Sequence, residues 1–232
     1  MDIEEYSDYA VQYYDERLSP LVIPYLKLKG TKTVLDCGCG DGNFLNSMKL
    51  KGFLKQRKVY AVDLSKKRID AVKKIDKSII AFVDSVEDLG KIKKNSVDLI
   101  VSMQVIEHVD DSKMISQLSR VSKKGAHVYI ATIFKSGLSI PLFFNNGEWV
   151  IDPTHSREYS DEKTLVSLFE KKGFELVEQK KERLKVTIAY PLFVLASKDL
   201  RLFEKNTLAR NLEKLKVPVP GYHVWELVFK KK

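Results

Sequence analysis

The chain has 232 residues, 44% hydrophobic and 31% charged, a balance that suits one globular domain with its own core and excludes a disordered tail. No apolar run approaches the roughly 18 residues of a bilayer-spanning helix, and the opening Met1-Asp2-Ile3-Glu4-Glu5 is acidic where a secretory leader is basic, so a cytoplasmic setting is expected. Forty Lys and Arg against 31 Asp and Glu leave a net charge of +9, but doublets such as Lys66-Lys67, Lys123-Lys124 and Lys180-Lys181 spread it along the chain, which is the pattern of a solvated surface rather than a nucleic-acid stripe. Cys37 and Cys39 stand one residue apart, a spacing of neither a zinc knuckle nor a disulfide framework, and they point to reduced thiols.

Residues 1–30 read as a helical N-terminal cap carrying Tyr6, Tyr9, Tyr13, Tyr14 and Tyr25, with Pro20 and Pro24 interrupting it. Thr33 to Asp36 is then a short β-branched and apolar run that stops at glycines. A helix is expected over Asn43 to Lys51 and a second strand over Lys58 to Asp63. The alternation continues with a helix over Lys66 to Lys74, strands at Ile79 to Val83 and Val97 to Met103, a helix from Asp110 to Ser122 and a strand from His127 to Ile133. Strands that are apolar almost throughout, alternating with helices, predict a mostly parallel sheet covered on both faces. Beyond a helix over Ser160 to Lys172, two more strands are expected at Phe174 to Gln179 and Val224 to Phe229. Residues 184–221 between them lose the rhythm. They hold the apolar run Ile188 to Ala196 and an amphipathic stretch, Thr207 to Leu215, and are expected to form an insertion or substrate lid on a single domain.

The most informative stretch is Val34-Leu-Asp-Cys-Gly-Cys-Gly-Asp-Gly42, at the first strand-to-helix turn. In open α/β sheets the ligand crevice lies outside the carboxyl ends of the strands, and the first strand borders it. Gly38, Gly40 and Gly42 let the backbone turn tightly and approach a ligand. The position where a dinucleotide fingerprint has its third glycine is Asn43. Asp36 and Asp41 would repel a pyrophosphate yet attract an ammonium or a sulfonium. Asp63 closes the second strand, where a carboxylate can take two ribose hydroxyls, and Asp84 closes the third, where one can accept from an adenine amine. Loop and acids together fit S-adenosylmethionine.

These residues resemble the class I S-adenosylmethionine-dependent methyltransferases over about Thr31 to Gln179. Tyr60-Ala-Val-Asp-Leu-Ser65, Phe82-Val-Asp-Ser85 and Asp98-Leu-Ile-Val-Ser-Met-Gln-Val-Ile-Glu-His-Val109 are similar to that family's second, third and fourth motifs. The resemblance implies a seven-stranded Rossmann-like sheet with its C-terminal strand antiparallel. It also implies a cofactor site built from Asp36, Gly38, Cys39 and Gly40 at the methionine end, Asp63 at the ribose, Leu64, Asp84 and Ser85 at the adenine, and Met103 with Gln104 below the sulfonium.

Glu107, His108 and His155 are the candidate catalytic residues. The segment Met103-Gln-Val-Ile-Glu-His-Val109 is similar to one in quinone-biosynthesis O-methyltransferases and small-RNA 2′-O-methyltransferases. There, two glutamates and a histidine, sometimes with a later histidine, hold a divalent cation. Here Gln104 replaces the first glutamate, and because hard cations prefer carboxylate oxygens, no metal is expected. His155, in a Pro-Thr-His loop, is expected to act as general base. The expected reaction is methyl transfer to a small, lipophilic acceptor at oxygen, with peripheral contact to a membrane surface as a companion expectation. Tyr190, Leu192 and Phe193 would roof the acceptor, with Tyr13, Tyr14 and Arg17 closing the cofactor side. The alternative is an RNA 2′-O- or other macromolecular methyltransferase, favoured by the charge but opposed by the lack of an Arg cluster and of aromatic RNA-reading motifs.

Overall fold

A computed structural model describes residues 18–141, 143–145, 147–187 and 216–232. The candidate residues Tyr13, Tyr14, Arg17, Tyr190, Leu192 and Phe193, most of the N-terminal cap and the Thr207 to Leu215 stretch lie outside the described residues. In chain order the elements are α1 (Ile23–Lys27), β1 (Thr33–Cys37), α2 (Asn43–Leu50), β2 (Lys58–Asp63), α3 (Lys66–Ile75), β3 (Ile79–Val83), β4 (Val97–Met103), α4 (Asp111–Val121), β5 (Ser122–Lys135), β6 (Phe143–Asn145), β7 (Glu148–Val150), α5 (Glu162–Lys171), β8 (Phe174–Thr187) and β9 (Lys216–Lys231).

Side chains alternate across a strand, so a strand buried on both faces needs apolar residues at both parities. Val34, Leu99 and Tyr129 face one layer, in which Leu26 of α1, Phe44, Leu45 and Met48 of α2, and Ile69 and Val72 of α3 pack. Their neighbours Leu35, Ile100 and Val128 face the other, against Met114, Ile115 and Leu118 of α4 and Leu165 and Phe169 of α5. Three helices begin on side-chain caps that satisfy a first-turn amide. Ser65 accepts from the Arg68 amide, Asp110 from Lys113 and Asp161 from Lys163.

The strands form one seven-stranded sheet in the order β3-β2-β1-β4-β5-β9-β8. β1 to β5 are mutually parallel, and β9 runs antiparallel to both of its neighbours, β5 and β8. The expected architecture is therefore the observed one. The chain moves outward from β1 to β3 and then returns to place β4 on the other side of β1, so the order reverses between β1 and β4. A ligand crevice belongs at the carboxyl ends of those two strands.

Two features differ from expectation. The last two strands are longer than the apolar segments that announce them: β8 continues to Thr187 and β9 starts at Lys216, with Val186 opposite Val217. The two ends of residues 184–221 are thus part of the sheet ladder. Leu184 and Val186 are buried while Arg183 and Lys185 are exposed, a period of two that the density of charge conceals. A short hairpin of β6 and β7 also follows β5, in a stretch with too few residues per strand to give a periodic signal. Among the described residues no helix is long and apolar enough to cross a membrane.

Candidate functional site

The turn after β1 is built from left-handed backbone. Gly38 has φ +79° and Gly42, at the N-terminus of α2, has φ +85°, a region that a side chain makes costly. Space is short as well: a Cβ on Gly38 would lie 2.4 Å from Val105 Cγ2, and one on Gly42 2.4 Å from Ile75 Cδ1. The Gly38 and Cys39 amides both donate to the Val62 carbonyl at 2.8 Å. Cys39 contributes backbone to the loop, while its side chain is buried among the core residues of α2. Burial first, and the neighbouring Asp36 and Asp63 next, push both cysteine thiols well above their ordinary range, so neither is a nucleophile at neutral pH.

Asp63 holds this loop to the next turn. Its Oδ2 accepts from the Gly40 amide and its Oδ1 from the Ser65 amide, each at 2.9 Å. Ser65, not Asp63, caps α3, so the carboxylate does not serve as a helix cap, and each oxygen retains a second lone pair. Asp84 Oδ1 accepts from the Ser85 amide at 2.9 Å, and Ser85 Oγ accepts from the Glu87 amide at 3.1 Å. Leu64, next to Asp63, is exposed. Gln104 follows β4 with φ +54°, its amide donating to the Ala131 carbonyl of β5 at 2.8 Å. A non-glycine residue in that conformation marks a constrained turn. Its neighbour Met103 is partly buried.

Asp36 is 1% exposed, and its carboxyl is pushed up to about 8, first by burial and then by the charge of Asp63. Among the described residues four carboxylate oxygens are buried without a hydrogen-bond partner: Asp36 Oδ2, Asp84 Oδ2, Glu107 Oε1 and Glu158 Oε2. Buried acceptors are nearly always satisfied in folded proteins. Those of Asp36, Asp84 and Glu107, near the carboxyl ends of β1, β3 and β4, fit a ligand that brings donors or positive charge to them.

Beyond β4, Glu107 is fully buried and its other oxygen, Oε2, accepts from Thr132 Oγ1 at 3.0 Å. The loop holding His155 is tied to it by backbone: the Ser156 amide donates to the Glu107 carbonyl at 2.8 Å, and the Arg157 guanidinium donates to the carbonyls of Ile106 and Val109. The His108 and His155 rings meet edge to face with centroids 4.9 Å apart. One ligand atom from each of Glu107, His108 and His155 lies within 4.8 Å of the other two. His108 Nδ1 contacts the Thr154 carbonyl at 3.1 Å, and His155 Nδ1 contacts Glu158 Oε1 at 2.9 Å. Two imidazoles, each with its Nδ1 held, beside an orphaned carboxylate oxygen form a donor set that fits a divalent cation, although no metal is expected from the segment's Gln104.

Sequence reasoning missed four residues that shape this cluster. Thr132 anchors Glu107, Asp152 accepts from the amide and hydroxyl of Thr154 at 2.9 and 2.5 Å, Thr154 steadies His108, and Glu158 steadies His155. Asp152, Thr154 and Glu158 offered only polarity in a short loop, and Thr132 a single hydroxyl in an apolar strand, neither of which says which side chains meet the cluster.

A family model described as a methyltransferase domain matches residues 10–179. The chain is 26% identical over 182 residues to a ubiquinone biosynthesis O-methyltransferase of Chromobacterium violaceum, covering 69% of this chain and 75% of that protein. It is 27% identical over 157 residues to a Vibrio atlanticus protein of the same name, covering 59% and 65%. Among solved structures, phosphoethanolamine N-methyltransferase 2 of Haemonchus contortus in complex with S-adenosyl-L-methionine superposes with a TM-score of 0.59 at 17% identity, over 91% of this chain and 51% of that one.

Proposed function

Because the chain belongs to the methyltransferase-domain family and is an S-adenosylmethionine-dependent enzyme, we propose that it methylates an oxygen of a small, lipophilic acceptor. The cofactor's ammonium is placed at Asp36, its ribose at Asp63, its adenine between Leu64 and Asp84 beside Ser85, and its sulfonium over Met103 and Gln104. Gly38 and Gly40 let the methionine end lie against backbone, and the Cys39 backbone completes that wall. The orphaned oxygens of Asp36 and Asp84 support this placement, since an ammonium and an exocyclic amine supply the donors they lack.

The observation that carries the choice of oxygen is the cluster of Glu107, His108 and His155 beside the end of β4. Methyl transfer is an in-line displacement: an acceptor oxygen lone pair forms the bond to the methyl carbon, the carbon–sulfur electrons return to sulfur, and the cofactor leaves as a neutral thioether. Positioning supplies most of the rate. A hydroxyl acceptor must also lose its proton, and His155, with Glu107 and His108 alongside, is placed to take it. Glu107, His108 and His155 would hold a divalent cation if one binds, and it would supply a lowered pKa for the acceptor hydroxyl.

Lipophilicity is supported by the segment after β5, which leads into the His155 loop. Leu138 is 91% exposed, Phe144 62% and Trp149 55%, and the last two stack edge to face with centroids 5.3 Å apart. An apolar rim beside a catalytic loop suits an apolar acceptor and the membrane surface that holds it. The relatives named for O-methylation in ubiquinone biosynthesis support the same class.

The test is transfer of labelled methyl from S-adenosylmethionine to a panel of lipophilic phenols, small amines and RNA. Labelled ether on the phenols is the expected result. Transfer confined to amines or to RNA 2′-hydroxyls would overturn the acceptor class.

A further inference from the structure

Thr132 puts a hydroxyl into an apolar row. Along β5 the side chains of Val128 and Ile130 enter the layer of α4 and α5, and Thr132, two residues further on, has the same parity and is fully buried. Valine has the same shape, and a buried hydroxyl without a partner is costly. The partner here is Glu107, whose Oε2 accepts from Thr132 Oγ1 at 3.0 Å. Glu107 is thus fixed at two points. Its carbonyl accepts from the Ser156 amide at 2.8 Å and the Arg157 amide at 3.3 Å, which holds the backbone, and Thr132 holds the carboxylate. Oε1 is buried with no partner. A carboxylate serving packing alone would be replaced by an apolar residue at little cost, whereas one with a donor on one oxygen and none on the other is arranged to receive a second donor.

We propose that Glu107 Oε1 takes the hydrogen bond of the acceptor hydroxyl, and that Thr132 is the positioning residue that holds the carboxylate turned for it. The inference rests on the acceptor class proposed above and adds which atom receives the hydroxyl and what aims that atom. Threonine suits the task because its β-branched side chain is stiff about χ1. Its backbone is equally constrained, since β5 lies between β4 and β9 and Thr132 stands opposite Trp225 of β9. The hydroxyl therefore does not follow the carboxylate if that turns, and a turned carboxylate loses the bond.

The test compares the native full chain with T132V, T132S and E107Q in two measurements. One is the affinity for para-butylphenol and for its methyl ether with S-adenosylhomocysteine bound, and the other is kcat on the phenol. The ether is the product of the same reaction and fits beside the demethylated cofactor, but it has no proton to donate. The native protein should bind the phenol about tenfold more tightly than the ether. T132V should lose most of that preference and lower kcat about 10- to 100-fold, with KM for S-adenosylmethionine unchanged. T132S keeps the hydroxyl and should keep the preference and most of the turnover. Adding T132V to E107Q should cost less than about twofold beyond E107Q alone, because residues that act as a unit are not additive. A native protein without preference for the phenol, a T132V protein that keeps both preference and turnover, or a T132V effect that adds in full to that of E107Q overturns the proposal. If T132V does not fold, the native preference and T132S still decide it, since a T132S protein as impaired as E107Q also overturns it. Methyl transfer confined to amines or RNA would instead remove the acceptor class itself, so the two failures are distinct.

Discussion

Asp63 and Gly40 are joined across the site by one hydrogen bond, the Gly40 amide donating to Asp63 Oδ2 at 2.9 Å. The same carboxylate takes the Ser65 amide on its other oxygen, so one side chain clamps the turn after β1 to the turn after β2. Hydrogen bonds to a charged group contribute about 1.5 to 3 kcal/mol each. Asp63→Ala should weaken S-adenosylmethionine binding by at least tenfold in calorimetry and lower the melting temperature. Retained affinity would mean that the loop holds its shape without the clamp.

Gly38 has room for no side chain. Gly38→Ala combines a left-handed backbone with a Cβ lodged against Val105, and the two costs together come to about 2 to 5 kcal/mol. Denaturant unfolding should show that loss, with cofactor binding abolished even where the variant remains folded. A variant as stable as the native protein would mean that Val105 moves aside freely.

Asp36 gives the protein without cofactor a particular pH dependence. Its carboxyl moves from an ordinary 3.8 to about 8 on folding, so between those values the folded protein keeps a proton that the unfolded chain has lost. This group's contribution to stability is complete below about pH 4 and falls as pH rises toward 8. Asp36→Asn should flatten that part of the stability profile. In the native protein an ammonium placed against Asp36 favours its ionised form, so cofactor binding at pH 7 should release close to one proton, seen as a buffer-dependent heat. A binding heat that is the same in buffers of different ionisation enthalpy would place the ammonium elsewhere.

The roles proposed for His155 and Glu107 separate proton removal from cofactor binding. His155→Ala and Glu107→Gln should each lower kcat on a hydroxyl acceptor by about 100-fold and leave cofactor affinity within twofold. The same two variants should weaken any divalent-cation binding seen by calorimetry with manganese or zinc, since Glu107, His108 and His155 are the donor set proposed for it.

Phe144 and Trp149 are exposed on the β6–β7 hairpin. Replacing both by serine should raise KM for a long-tailed acceptor several-fold, in proportion to the apolar area lost, and leave KM for a truncated acceptor unchanged. Equal effects on the two acceptors would remove the hairpin from substrate selection.

The sheet, its helices and the glycine turn were legible because each has a local cause. Val34-Leu35, Leu99-Ile100 and Val128-Tyr129 are apolar at both parities, which only a doubly covered strand requires, and glycines at three alternate positions answer a backbone demand that no other residue meets cheaply. The β8–β9 extension was hidden because Arg183 and Lys185 mask the alternation of Leu184 and Val186. The supporting residues Thr132, Thr154 and Glu158 were hidden for a different reason: their roles depend on partners 25, 46 and 3 residues away, and in every case on an inward turn that composition does not encode.

By itself the amino-acid order determined the succession of strands and helices, the glycine turn after β1 and the acids at the strand ends, since all of these follow from backbone preference and side-chain period. Only the tertiary structure decided that Glu107, His108 and His155 meet, that Asp36, Asp84 and Glu107 each keep a buried oxygen unanswered, and that Glu158 stands behind His155. Those are facts about distance and burial, and the packing of remote segments against one another creates both.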